Sequence, residues 1–220
     1  MKRLHSPIRR YLRLHAVVWL LLAASTASLE LPAEQAARQY GGQSLVLYRD
    51  WTSMLAPLGQ TDEMGKLKAV NQFINRRIRF ADDFAIWQQS DYWASPLEMF
   101  AKGAGDCEDF AIAKYISLRS SGIEAAKLRL TYVKARIGGP DSNVSQAHMV
   151  LAYYPSPSAE PLVLDNLVTS ILPASQRNDL TPVFSFNTEA LWAGNTRSSV
   201  DRLTRWRQVM ERMRKDGFVF

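Results

Sequence analysis

Apolar positions three and four residues apart, Met64, Leu67, Val70, Ile74 and Ile78, predict an amphipathic helix capped by Thr61 and running to about Arg79. Its other face, with Lys66, Lys68, Arg76 and Arg77, reads as solvated. Upstream, residues 29–42 are polar with alanines and fit a linker or short helix, and the apolar run 45–48 before Trp51 carries no assigned role. Residues 80–100 form an aromatic-rich connection with Phe84, Trp87, Tyr92 and Trp93, which reads as core lining, with Tyr92 or Trp93 as alternative walls of a cleft. Ser95-Pro96-Leu97-Glu98 opens a short helix, and Asp106 caps a second amphipathic run through Ser121 to a stopping Gly122. Beyond it the period changes from helical to two. Residues 128–133, 147–153 and 162–165 read as strands, with Gly138-Gly139-Pro140-Asp141 as a loop. The stretch containing Pro173, Pro182 and Trp192 is loop-like, and a last helix over 199–215 carries Val200, Leu203, Trp206, Met210 and Met213 on one side. Its arginines, Arg202, Arg205, Arg207, Arg212 and Arg214, read as a solvated basic face, with anionic lipid or a partner as the alternative.

Composition alters this picture mainly at the N-terminus. Lys2, Arg3, Arg9, Arg10 and Arg13 precede an apolar stretch over 16–24 and the small residues Ser25-Thr26-Ala27, the pattern of a secretory signal peptide cleaved after about Ala27. A retained membrane anchor is the alternative, but the apolar run is shorter than the ~20 residues a span needs. The expected division is therefore a signal peptide, 1–27, and a single domain, 28–220, of a size that buries one core. Losing five basic residues and no acidic one takes the formal charge from +6 to +1, which removes the compositional case for nucleic-acid binding. His5 and His15 leave as well, so the mature chain keeps one cysteine, Cys107, and one histidine, His148. A lone cysteine in a periplasm-like, oxidising space is either buried and inert or functional.

Cys107 would be the first residue of its helix, where unpaired N–H groups and the helix dipole favour a thiolate. Asp106, Glu108 and Asp109 act against this, because nearby negative charge raises a thiol pKa. A hairpin centred between Ser156 and Pro157 would set His148 directly opposite Asp165, within side-chain reach; a slip of one position would separate them. Nucleophile, imidazole and orienting carboxylate are the parts of acyl-transfer chemistry. Taken singly, each residue also has a plain role: Cys107 in the core, His148 as a hydrogen-bonded histidine, Asp165 as a turn former.

Asp91-Tyr92-Trp93-Ala94-Ser95-Pro96-Leu97-Glu98 and Gly103-Ala104-Gly105-Asp106-Cys107-Glu108-Asp109-Phe110, followed by Ala147-His148-Met149-Val150-Leu151 and Leu164-Asp165-Asn166, resemble the bacterial transglutaminase-like cysteine proteases of the LapG type. The resemblance implies a papain/transglutaminase-like α+β fold, with a nucleophile helix against an antiparallel sheet and catalytic Cys107, His148 and Asp165. It also implies a periplasmic endopeptidase that cuts the N-terminal region of a large surface adhesin near a dialanine, releasing biofilm cells. An inner-membrane cyclic di-GMP receptor would restrain it. Family members of this type need calcium; Asp106 and Glu108 match the calcium-binding positions and Asp109 is a further candidate. Clustered carboxylates suit a hard cation such as Ca²⁺, although capping of the helix by the same residues requires no metal. For the oxyanion, the Cys107 N–H is the natural donor and the Trp93 indole a candidate second. Transfer to an amine, cell-wall amidase activity and a non-enzymatic calcium-stabilised adaptor remain alternatives.

Overall fold

The computed structural model describes residues 32–219; the segment read as a signal peptide, 1–27, lies outside the described residues. Two helices, α1 (Pro32–Gln39) and α2 (Gly42–Leu55), open the described chain. The run around Leu45 thus belongs to a helix whose Ser44, Leu47, Tyr48 and Trp51 are buried on one side. Next, α3 (Glu63–Arg77) buries Leu67, Val70 and Ile74 as the spacing predicts. Its cap is Asp62 and not Thr61: the Asp62 carboxylate accepts the Gly65 N–H at 2.8 Å. A short strand β1 (Arg79–Phe80), a one-turn helix α4 (Asp83–Trp87) and α5 (Pro96–Lys102) follow. The last of these starts with a full capping box between Ser95 and Glu98. β2 (Ala104–Gly105) pairs in parallel with β1, which brings residues 79–83 beside the start of α6 (Cys107–Ser120).

The run after Cys107 differs from the amphipathic helix expected of it, because residues 109–118 are buried without a break. α6 lies between α3 on one side and the sheet on the other, so it has no solvent face to keep polar. Trp51 closes the helical side by donating from its indole to Ser117 Oγ at 2.7 Å.

The sheet has seven antiparallel strands: β3 (Leu128–Arg136), β4 (Ser145–Tyr153), β5 (Leu162–Leu164), β6 (Leu172–Pro173), β7 (Leu180–Phe186), β8 (Leu191–Ala193) and β9 (Thr196–Ser198), in the order β6-β5-β4-β3-β7-β8-β9. The last four occupy the stretch read as loop. Pro182 disguised β7, and it is accommodated opposite Val133 where the β3–β7 register shifts, since proline cannot donate to a ladder. Leu151 pairs with Leu164 and Tyr153 with Leu162, a register two positions away from the one that would have set His148 opposite Asp165. A shift of two keeps the face, so the residues are diagonal neighbours on one side of the sheet instead of direct partners. Met149, Leu151, Leu164 and Phe186 join the main core, whereas Val133, Val150 and Val163 form a separate small cluster.

The terminal helix is shorter than the pattern suggested. A 3₁₀ turn, Val200–Arg202, precedes α7 (Thr204–Lys215), whose Trp206, Val209, Met210 and Met213 are buried. Its basic face is only partly solvated: Arg205 pairs with Asp91 at 2.7 Å and Arg212 with Glu98 at 3.0 Å, fastening α7 to the aromatic connection. Among the described residues, no helix is long and apolar enough to cross a membrane.

Candidate active site

Cys107 and His148 line one cleft of about 820 Å³, together with Asp83, Trp93, Asp106, Glu108 and Tyr132. Two elements deliver them: the N-terminus of α6 carries the thiol, and the mid-strand of β4 carries the imidazole. His148 and Asp165 are both buried, and Nε2 of the ring stands 2.8 Å from Asp165 Oδ1. That contact leaves Nδ1 as the ring nitrogen free for other work. The Leu167 N–H donates to the same carboxylate oxygen at 3.0 Å, and Asn75 donates to the Asp165 carbonyl from α3.

Asp165 Oδ2 accepts from Arg177 Nη2 at 2.7 Å, a partner that sequence reasoning missed. Arg177 is only 3% exposed and also grips Asp179 through Nε and Nη2. Burial alone would raise the Asp165 pKa. The hydrogen bond and charge of His148, the Leu167 N–H and Arg177 outweigh it and hold the carboxyl down at about 2. The only advance signal for Arg177 was an arginine and an aspartate two apart in a segment that looked like loop.

The thiol is in the opposite electrostatic position. Among the described residues no hydrogen bond joins Cys107 to His148; Sγ instead donates to Glu108 Oε2 at 2.9 Å. Burial pushes the thiol pKa well above its usual range, the charge and hydrogen bond of Glu108 and the charge of Asp106 push it further, and the Met149 N–H opposes them. Trp93, the candidate second oxyanion donor, has its indole N–H engaged by Asp91 Oδ1 at 3.0 Å and its ring stacked on Phe186. Tyr92 is not a cleft wall; its hydroxyl donates to Glu98 at 2.7 Å and its ring packs on Trp87.

The acidic residues divide into two groups. Asp106, Cys107 and Glu108 can bring one ligand atom each within 4.8 Å of one another, and so can Asp83, Asp106 and Asp109. Asp83 was not anticipated, since it lies on α4 and reaches the site only because β1 pairs with β2. Asp109 is committed on both oxygens, accepting from Ala94 N–H at 2.7 Å and from Asp106 N–H at 3.4 Å. Asp83 Oδ2 accepts the Tyr92 N–H, but Asp83 Oδ1 and Asp106 Oδ1 are buried with no partner. Burial first, then the mutual repulsion of these carboxylates with Glu108, raises Asp106 to about 10 and Asp109 well above the usual range. Burial also lifts Asp83, to about 6, against the Tyr92 N–H. Two orphaned carboxylate oxygens beside further acidic groups fit a hard, oxygen-seeking divalent cation.

A family model for the bacterial transglutaminase-like cysteine proteinases (BTLCP) matches residues 52–180. The chain belongs to this family. The proteinase is 38% identical to Legionella pneumophila LapG, with a TM-score of 0.73 over 82% of this chain and 94% of that one. Against the EGTA-treated form of LapG the identity is 38% and the TM-score 0.73, covering 82% and 95%. Against the calcium-bound form they are 40% and 0.70, covering 82% and 97%. Comparison with curated proteins finds no match. Family and structural likeness together make the chain a cysteine protease with the mixed helix and antiparallel-sheet fold that its motifs implied.

Proposed function

We propose that the protein is a calcium-dependent endopeptidase in which Cys107 is the nucleophile, His148 the base and then acid, and Asp165 the group that orients the imidazole. The observation that carries this is the convergence of Cys107 and the buried His148–Asp165 pair on one cleft. Sγ gives its proton to His148 and bonds to the scissile carbonyl carbon. The Cys107 N–H, first of its helix and without an intrahelical acceptor, donates to the developing oxyanion. His148 then protonates the departing amine as the C–N bond breaks, and takes a proton from the water that hydrolyses the thioester.

Asp83, Asp106 and Glu108 would hold the cation, with Asp109 bracing the loop from beneath. Ca²⁺, when bound, supplies positive charge that offsets the carboxylates and favours the thiolate. Exposed Phe80 and Phe84 on the cleft rim suit an extended, weakly polar substrate segment. The likeness to LapG supports the finer reading: a periplasmic enzyme, exported by its signal peptide, that cuts a large surface adhesin near a dialanine in its N-terminal region and so promotes biofilm dispersal. An inner-membrane cyclic di-GMP receptor is the proposed restraint.

A purified adhesin fragment containing a dialanine tests this by product mass spectrometry. The intact enzyme should release two hydrolysed fragments in calcium, none in EGTA and no amine adduct when an amine is added. Cys107→Ala should be folded and inactive; a fully active variant would exclude Cys107 as the nucleophile.

A further inference from the structure

The sheet face turned away from α6 bears a second cavity, of about 540 Å³, floored by Val133, Val150 and Val163. Arg129 stands at its rim between two rings, its guanidinium carbon 4.2 Å from the Trp192 centroid and 4.6 Å from that of Tyr154. Arg177 lines the same cavity from the far side of its contact with Asp165. Each arginine has a buried nitrogen without a hydrogen-bond partner, Arg129 Nε and Arg177 Nη1. No aspartate or glutamate lines the cavity itself; Arg177 is paired with Asp165 and Asp179 behind it, and Arg129 has no carboxylate there.

A buried N–H left unpaired costs about 1–3 kcal/mol, more when the group is charged, and an anionic acceptor is the strongest partner for a guanidinium. An inorganic anion would satisfy the nitrogens but leave the valine floor wet. An apolar body gains about 0.8 kcal/mol for each methylene it buries there. Aromatic walls, an aliphatic floor and a few unpaired polar atoms of one sign are the features of a small-molecule site.

We infer that this cavity binds a free carboxylate amphiphile, with its head group on the unpartnered guanidinium nitrogens and its apolar body against the valines. Binding does not depend on the proteolytic reading. One consequence does: an occupant engaging Arg177 shares it with Asp165, so the site can modulate the His148–Asp165 pair.

Isothermal titration of the folded protein with decanoate, below its micelle concentration, tests the site against decanol and inorganic phosphate. Decanoate should bind at one site, at least tenfold more tightly than decanol, and phosphate should not displace it. Arg129→Gln should weaken decanoate at least tenfold while a thermal melt shows the variant folded. Equal affinity for decanol, displacement by phosphate, or unchanged affinity in folded Arg129→Gln would each overturn the proposal. Saturating decanoate should also change kcat for peptide cleavage; an unchanged rate would refute the coupling to Asp165 and leave the binding result to stand by itself.

Discussion

Replacing Arg177 with methionine separates the two halves of the buried His148–Asp165–Arg177 charge network. The variant keeps much of the side-chain volume but leaves Asp165, with a fully buried side chain, to His148 and one backbone N–H. Removing one partner of a buried ion pair strands the other, at about 3–5 kcal/mol. For a protein of this size each kcal/mol moves the melting temperature by about 2–4 °C, so the drop should be roughly 6–20 °C. Asp165→Asn should cost less, because Arg177 retains Asp179, whose side chain is 35% exposed. The decisive measurement is the double-mutant cycle by urea denaturation. Coupled partners should make the double variant less unstable than the summed singles by about 1–3 kcal/mol. Additivity to within ~0.5 kcal/mol would mean that the 2.7 Å contact contributes nothing specific, refuting the reasoning. Kinetics add an independent reading, since loss of a positioning group should lower kcat in Arg177→Met with KM little changed.

Three further outcomes follow from the site. Asp165 is held at about 2 against an ordinary 3.8, so it contributes about 2 kcal/mol that is fully present above pH 4 and disappears as the pH falls to 2. The stability gap between wild type and Asp165→Asn should therefore shrink over that interval, and a gap independent of pH would be inconsistent with a depressed carboxyl. Calcium at a hundred times its dissociation constant should stabilise the protein by about 2.7 kcal/mol, and Asp83→Asn should remove at least half of the associated rise in melting temperature at the same calcium concentration. An identical rise in that variant would place the cation elsewhere. A Cβ on Gly105 would stand 2.8 Å from both Cβ and Oδ2 of Asp109 and 3.2 Å from Met99 Cγ. Gly105→Ala should thus cost about 1–3 kcal/mol and displace Asp109 from the Ala94 and Asp106 amides; a wild-type urea midpoint would contradict that packing.

What could be read from the chain was whatever depended on local pattern. The helix entry at Ser95, the helix start at Cys107, the alternation of β3 and the apolar run of β4 are written in neighbouring residues, and each is found close to its expected bounds. Position across the fold was less accessible. The β4–β5 register lay two positions from the expected one, and the His148–Asp165 contact survived because an even shift preserves the face. Asp83 and Arg177 were invisible for a shared reason. Each is delivered by a pairing between distant segments, β1 with β2 in one case and β7 with β3 in the other, and neither leaves a periodic signal. Buried all round, α6 defeated the amphipathic template, while β7, largely solvent-facing and interrupted by Pro182, defeated the alternating one.

The two sets of carboxylates explain why Cys107, the proposed nucleophile, lies where its surroundings oppose a thiolate. Asp165 stays ionised because the chain itself provides cations, His148 when protonated and Arg177 always. Asp83 and Asp109 are buried and Asp106 partly so, and they face one another and Glu108, so their protonated forms and that of the thiol are favoured. The dipole at the start of α6 supplies only about 0.3–1 kcal/mol towards an anion, too little to reverse that. Positive charge from a bound cation would add to that of the His148 imidazolium in favouring a thiolate at Cys107. The ligand atoms on offer are carboxylate oxygens, two of them buried and unpartnered, which favours calcium over a metal that prefers nitrogen or sulfur. On the proposed reading the acidic cluster is a condition placed on Cys107: the carboxylates that disfavour its thiolate are the ones through which a bound cation would favour it.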